Sequence, residues 1–205
     1  MKQLTHLSLF SGVGGLDIAA HWAGFKTVGL CEFADYPHSI LAKRFPSVPI
    51  WRDIRNLTGG DFFEATGLRT VDVISGGFPC QPFSVAGKRK GAADDRYLWP
   101  EMLRIISELR PSWVVGENVA GLLSMVEPAG ESELVSQEIT MRAGQDIRAV
   151  FTQRERYTLA NILQDVERLG YAARLFVFPA CGVGANHRRD RIAIVANDVS
   201  HDHRV

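Results

Sequence analysis

Leu7-Ser8-Leu9-Phe10-Ser11-Gly12-Val13-Gly14-Gly15-Leu16, an apolar run to Ala23 and then Gly24 is the stretch that decides the fold. Residues 7–10 are short and apolar, as a buried strand should be. They break into a glycine cluster, and a helical stretch over residues 16–23 ends at Gly24, the residue type favoured just past a helix C-terminus. The same rhythm repeats outward. Residues 27–30 read as a strand, residues 36–45 as a helix stopped by Pro46, and residues 71–74 as a strand running into Gly76-Gly77-Phe78-Pro79-Cys80. Leu98, Met102, Ile105, Ile106 and Leu109 keep a helical period that Pro111 stops. Residues 113–115 make a further strand. Leu159, Ile162, Leu163, Val166 and Leu169 mark an amphipathic helix with Thr158 expected as its cap and Gly170 behind it. Residues 173–178 and 192–196 complete the strands. Strand and helix in alternation predict an α/β domain, a doubly wound, mostly parallel sheet with helices on both faces. Residues 126–156 hold no sustained period and read as an insertion or long loop within a single domain spanning residues 1–205.

Composition bounds what such a domain does. The 205 residues carry 23 Lys and Arg against 23 Asp and Glu, with 46% hydrophobic residues, an ordinary globular balance. Zero net charge excludes a body that grips polyanions everywhere, so nucleic-acid contact has to come from local patches. No apolar run nears the roughly 18 residues of a membrane span, and the first residues lack a signal-peptide pattern. Cys31, Cys80 and Cys181 are odd in number and widely spaced, which suits reduced thiols in a cytoplasmic protein rather than a disulfide framework.

In a parallel sheet ligands sit at the carboxyl ends of the strands, and the unusual residues fall there. The cluster Phe10-Ser11-Gly12-Val13-Gly14-Gly15 follows a strand and opens a helix, so backbone N–H groups can face a ligand. Glu32 ends the next strand, where a carboxylate can hold both hydroxyls of a ribose. Asp17 occupies the third position of the dinucleotide fingerprint, which suits a nucleoside cofactor without a pyrophosphate. Asp53, after a third extended stretch, is either a solvated loop carboxylate or an acceptor for an adenine amino group. Two glycines and two prolines tie Cys80 into a rigid loop with the access a nucleophile needs. Cys31 lies beside Glu32, which disfavours thiolate, and reads as structural, as does Cys181. Glu117 ends another strand, where burial would let it donate a proton, and Asn118 can hold a loop by its side chain. Arg189 and Arg191 are two apart and in extended chain point the same way. Lys88-Arg89-Lys90 is a solvated basic run or a phosphate contact.

Taken together these residues resemble the DNA cytosine-5 methyltransferase family. Phe10-Ser11-Gly12-Val13-Gly14-Gly15 looks like its S-adenosylmethionine loop, Pro79-Cys80-Gln81 like its nucleophile loop, Glu117-Asn118-Val119 like its acid motif and Arg189-Asp190-Arg191 like its two-arginine motif. The resemblance covers about residues 4–196. It implies a Rossmann-like methyltransferase fold and S-adenosylmethionine as methyl donor, with no metal. It implies Cys80, Glu117, Arg189 and Arg191 as catalytic residues. The cofactor would be held by Phe10, Ser11, Gly12, Gly14, Gly15, Leu16, Glu32, Asp53, Ile54 and Pro79. Gln81, Ser84, Asn118 and Val119 would meet the substrate, cytosine in double-stranded DNA. Asn186-His187 stands where many members have Pro-Gln. Members usually continue into a target-recognition domain and a closing segment, whereas Val205 comes nine residues after Ala196. The expectation is therefore a truncated chain or one part of a split enzyme with a complementary subunit, from a bacterial or phage restriction–modification setting. A catalytically inactive binding protein of the same fold, a nicotinamide-dependent oxidoreductase and an RNA substrate are the alternatives.

Overall fold

The computed structural model describes residues 2–79, 98–124, 126–127 and 156–200. In chain order its elements are β1 (Thr5–Leu9), α1 (Gly15–Trp22), β2 (Lys26–Cys31), α2 (Asp35–Arg44), β3 (Ile50–Trp51), α3 (Gly59–Thr66), β4 (Val73–Gly76), α4 (Trp99–Leu109), β5 (Trp113–Val119), β6 (Val126–Glu127), β7 (Arg156–Tyr157), α5 (Thr158–Arg168), β8 (Tyr171–Phe178) and β9 (Arg191–Asp198). Seven strands form one sheet in the order β3-β2-β1-β4-β5-β9-β8. All pairings from β3 to β5 are parallel, and β9 runs antiparallel between β5 and β8. The expected α/β architecture with a mostly parallel sheet is the one observed.

Side-chain alternation along β1 shows how the layers form. His6 and Ser8 face α1, where Asp17 receives the Ser8 hydroxyl at 3.2 Å. Leu7 points the other way: a Cβ placed on neighbouring Gly29 would meet Leu7 Cδ1 at 2.9 Å and Phe62 of α3 at 3.3 Å. β1 is therefore buried on both sides, as a central parallel strand must be. The core runs from Leu7 and Leu9 through Phe62, Ile74, Met102, Ile105 and Ile106 to Ile162, Val166 and Ile194. Connections follow backbone chemistry: Gly24, Gly67 and Gly170 all take the left-handed conformation directly after a helix.

Three details differ from expectation. Helix α3 is not foreseen, although Thr58 and Asp61 form its capping box, with Thr58 N–H donating to Asp61 Oδ2 at 2.9 Å. Thr158 is the first residue of α5 rather than its cap, and its buried hydroxyl finds no partner among the described residues. Arg189 has φ +35°, so the extended-chain argument that aligned it with Arg191 does not apply. Residues 128–155, most of the expected insertion, lie outside the described residues; the short strands β6 and β7 pair at its two ends. Among the described residues no helix is long and apolar enough to cross a membrane.

Candidate active site

One cavity of about 990 Å³ opens at the carboxyl ends of β1, β2, β4 and β5, within the size range of cofactor and substrate sites. Its floor is built by the turn after β1. Phe10 carries φ +53°, a strained conformation for an aromatic residue, and Gly12 and Gly14 follow at +56° and +91°. The turn is pinned by Ser11 N–H donating to the Cys31 carbonyl and Gly14 N–H to the Ser11 carbonyl, both at 3.0 Å. Gly12 and Gly15 leave open space where a Cβ would stand.

Glu32 is buried and acts on this turn: Oε2 accepts from Gly12 N–H and Oε1 from Ala34 N–H, each at 2.8 Å. Cys31 beside it is buried, and burial first, then the charges of Asp53 and Glu32, pushes its thiol up to about 12. It lines the cavity as an inert thiol. Asp53 stands two residues past β3, where Oδ1 accepts from Arg55 N–H at 3.0 Å and pairs with Arg55 Nε at 3.3 Å. Ile54 next to it is buried.

The opposite wall comes from β4, β5 and β9. Glu117 and Arg191 belong to paired antiparallel strands, with Val119 opposite Arg191. That register sets Arg191 diagonally across from Glu117 on one face, and Arg191 Nε meets Glu117 Oε1 at 2.9 Å. Glu117 is not deeply buried, with 36% of its side chain exposed. A Cβ on Gly77 would stand 3.2 Å from its other oxygen, so the chain leaving β4 passes directly against this carboxylate. Asn118 is buried and donates from Nδ2 to the Phe78 carbonyl at 2.9 Å. The Phe78 ring packs 5.0 Å from Trp99 and against Gly116, where a Cβ would meet it at 3.2 Å. The stem leading to Cys80 is thus fixed from both sides.

Of the residues singled out in the sequence, Phe10, Ser11, Gly12, Gly15, Leu16, Asp53, Ile54, Pro79, Glu117, Asn118, Val119, Arg189 and Arg191 line this one cavity. Gly14 and Glu32 stand behind the lining and shape the turn. Cys80, Gln81, Ser84 and the run Lys88-Arg89-Lys90 lie outside the described residues. Sequence reasoning missed Phe33, Arg52 and Arg55, which also line the cavity. Phe33 is 71% exposed directly after Glu32, and an apolar ring at a strand end was the available signal.

A bare glycine turn without Cβ atoms, a carboxylate behind it and a second carboxylate beside a buried apolar residue suit a nucleoside. The ion pair and the proline-fixed stem lie in the same space, so a second ligand can meet the first there.

Residues 4–134 match the family described as C-5 cytosine-specific DNA methylase. The type II methyltransferase M.AquIA of Picosynechococcus sp. is 32% identical over 195 residues, covering 93% of this chain and 71% of that protein. M.NgoFVII, a type II methyltransferase of Neisseria gonorrhoeae, is 30% identical over 190 residues, which is 92% of this chain but 42% of that protein. Among solved structures, DNMT2 of Spodoptera frugiperda superposes with a TM-score of 0.66 at 20% identity, over 97% of this chain and 51% of that one. Dnmt2 of S. pombe gives 0.65 at 18% identity, over 95% and 51%. The chain spans about half the length of these structures, and their likeness bears on the fold.

Proposed function

The chain belongs to the C-5 cytosine-specific DNA methylase family, and from that premise we propose that it transfers a methyl group from S-adenosylmethionine to C5 of cytosine in duplex DNA. The observation that carries this reading is the cavity itself, in which the glycine turn and the Glu117–Arg191 pair share one space with Pro79, the residue before Cys80.

In this reading Phe10, Ser11, Gly12, Gly14, Gly15 and Leu16 cradle the cofactor. Glu32 takes the ribose hydroxyls with the lone pairs its two backbone contacts leave free, and Asp53 and Ile54 meet the adenine. S-adenosylmethionine, when bound, supplies an electrophilic methyl group on its sulfonium. The protein's own work is to make C5 of cytosine nucleophilic. The Cys80 thiolate adds to C6, forming a C–S bond and turning the C5–C6 double bond into an enamine with density at C5. A proton delivered at N3 through Glu117 draws charge away during the attack, while Arg191, with Arg189 nearby, contacts O2. Once C5 is methylated, its proton leaves to a base and the C–S bond breaks, restoring the ring and the thiolate. Asn118, Val119, Gln81 and Ser84 serve the substrate side.

A stacked base cannot reach this cavity, so the cytosine has to be flipped out at a cost of a few kcal/mol. Phosphate contacts recover that cost. A cytoplasmic site of action follows from the same reading.

The test is calorimetric titration with S-adenosylmethionine and, separately, with NAD. The reading expects binding of the first, weakened at least tenfold by Asp53→Ala, and none of the second. Binding of NAD alone would replace it with an oxidoreductase.

A further inference from the structure

Arg104 lies on α4, about one-third exposed, on the face turned to the β3–α3 connection. Its guanidinium donates in several directions: Nη2 to the Ile54 carbonyl at 2.8 Å, Nη1 to the Leu57 carbonyl at 2.9 Å, Nε to Glu101 Oε2 at 2.9 Å and Nη1 to Glu108 Oε1 at 2.8 Å. Glu108 uses its other oxygen to accept from Gly59 N–H at 2.7 Å. One turn of α4 therefore holds the connection at Ile54, Leu57 and Gly59.

A surface Arg–Glu pair spaced i, i+4 contributes little alone and has no reason to touch backbone. Here the held backbone is a turn, closed by Asn56 N–H to the Asp53 carbonyl at 3.0 Å and Leu57 N–H to the Ile54 carbonyl at 3.2 Å. That turn carries the Asp53 carboxylate to the cavity wall. Resting on the reading of this wall as a nucleoside-binding surface, the geometry points to Arg104 as a positioning residue for the cofactor: it holds the Asp53–Leu57 turn in its binding shape before the ligand arrives. Preorganisation of this kind improves affinity without a contact to the ligand. A lysine keeps the charge toward Glu101 and Glu108 but lacks the planar fork that reaches two carbonyls.

The test is Arg104→Lys in the full chain, measured with S-adenosylmethionine by calorimetry and by hydrogen exchange at Asn56 and Leu57. The expected result is a Kd weaker by about tenfold, the loss of one charge-assisted hydrogen bond, with faster exchange at both amides. In an Asp53→Ala background the same lysine should change the Kd by less than about twofold, because independent effects would add and coupled ones do not. An unchanged Kd for Arg104→Lys, or an equal loss in both backgrounds, would overturn the positioning role while leaving the cofactor site intact. An Asp53→Ala chain that binds as tightly as wild type would remove both the adenine reading of Asp53 and the inference built on it. Should the lysine variant fold poorly, Glu108→Gln weakens the same clamp and should give a smaller loss with the same dependence on Asp53.

Discussion

Asp17→Asn should stabilise the protein at neutral pH by about 3 kcal/mol. Asp17 is fully buried beneath the glycine turn, and among the described residues its side chain accepts a hydrogen bond from the Ser8 hydroxyl on Oδ2 while Oδ1 finds none. Burial raises its carboxyl from 3.8 to about 6. Each tenfold change in proton affinity is worth about 1.4 kcal/mol, so keeping Asp17 ionised above pH 6 costs about 3 kcal/mol. The folded chain holds this proton more tightly than the unfolded one, so the stability it gives is complete below pH 3.8 and lost as pH rises through 6. His6 works in the opposite sense. It is buried, its Nδ1 4.0 Å from Asp17, and burial lowers it from 6.5 to about 4. The stability it gives is complete above 6.5 and lost as pH falls through 4. Between pH 4 and 6 the two slopes nearly cancel. An asparagine leaves the His6 slope alone, so the variant should gain about 3 kcal/mol from pH 4 to pH 6.5 where this pair in wild type contributes almost none. Urea unfolding of both proteins at pH 4, 5, 6 and 7.5 reads this directly. Equal stability at pH 7.5, or the same difference at pH 4, would show that the buried Asp17 charge carries no such cost.

Gly29→Ala should destabilise by about 1–3 kcal/mol in thermal or urea melts, since its Cβ would come within 2.9 Å of both Leu7 and Trp51 in a closed core. Glu117→Gln should lower kcat for methyl transfer by about a hundredfold or more while circular dichroism stays unchanged, because it removes the partner of Arg191 and the acid proposed at N3.

The parts of this fold legible in the sequence are those where one residue decides one conformation. Gly24 and Gly170 mark helix ends because they take φ +87° and +86°, and the period of Met102, Ile105, Ile106 and Leu109 marks a buried helix face. Strand direction is not written in that way. β9 inserts antiparallel between β5 and β8, yet its residues alternate as those of any strand. That insertion is what brings Arg191 to Glu117. Helix α3 escaped because it opens on Gly59-Gly60, poor helix formers that its cap and the burial of Phe62 override. The candidate site was legible where acids and glycines follow strands, as at Gly12, Glu32 and Asp53, and at Glu117 near the end of β5. Arg104 was not, because in sequence it is an ordinary helix-surface arginine with a glutamate four residues on.

Cysteine-dependent methylation at C5 is the reaction proposed for this chain. Its most direct test is incubation of the chain with labelled S-adenosylmethionine and mixed-sequence duplex DNA, with and without Cys80→Ser, with cofactor binding measured on both. Label is expected on C5 of cytosine with wild type, and none with Cys80→Ser despite undiminished binding. Label that survives the substitution, or that sits on an exocyclic amino group, would contradict it.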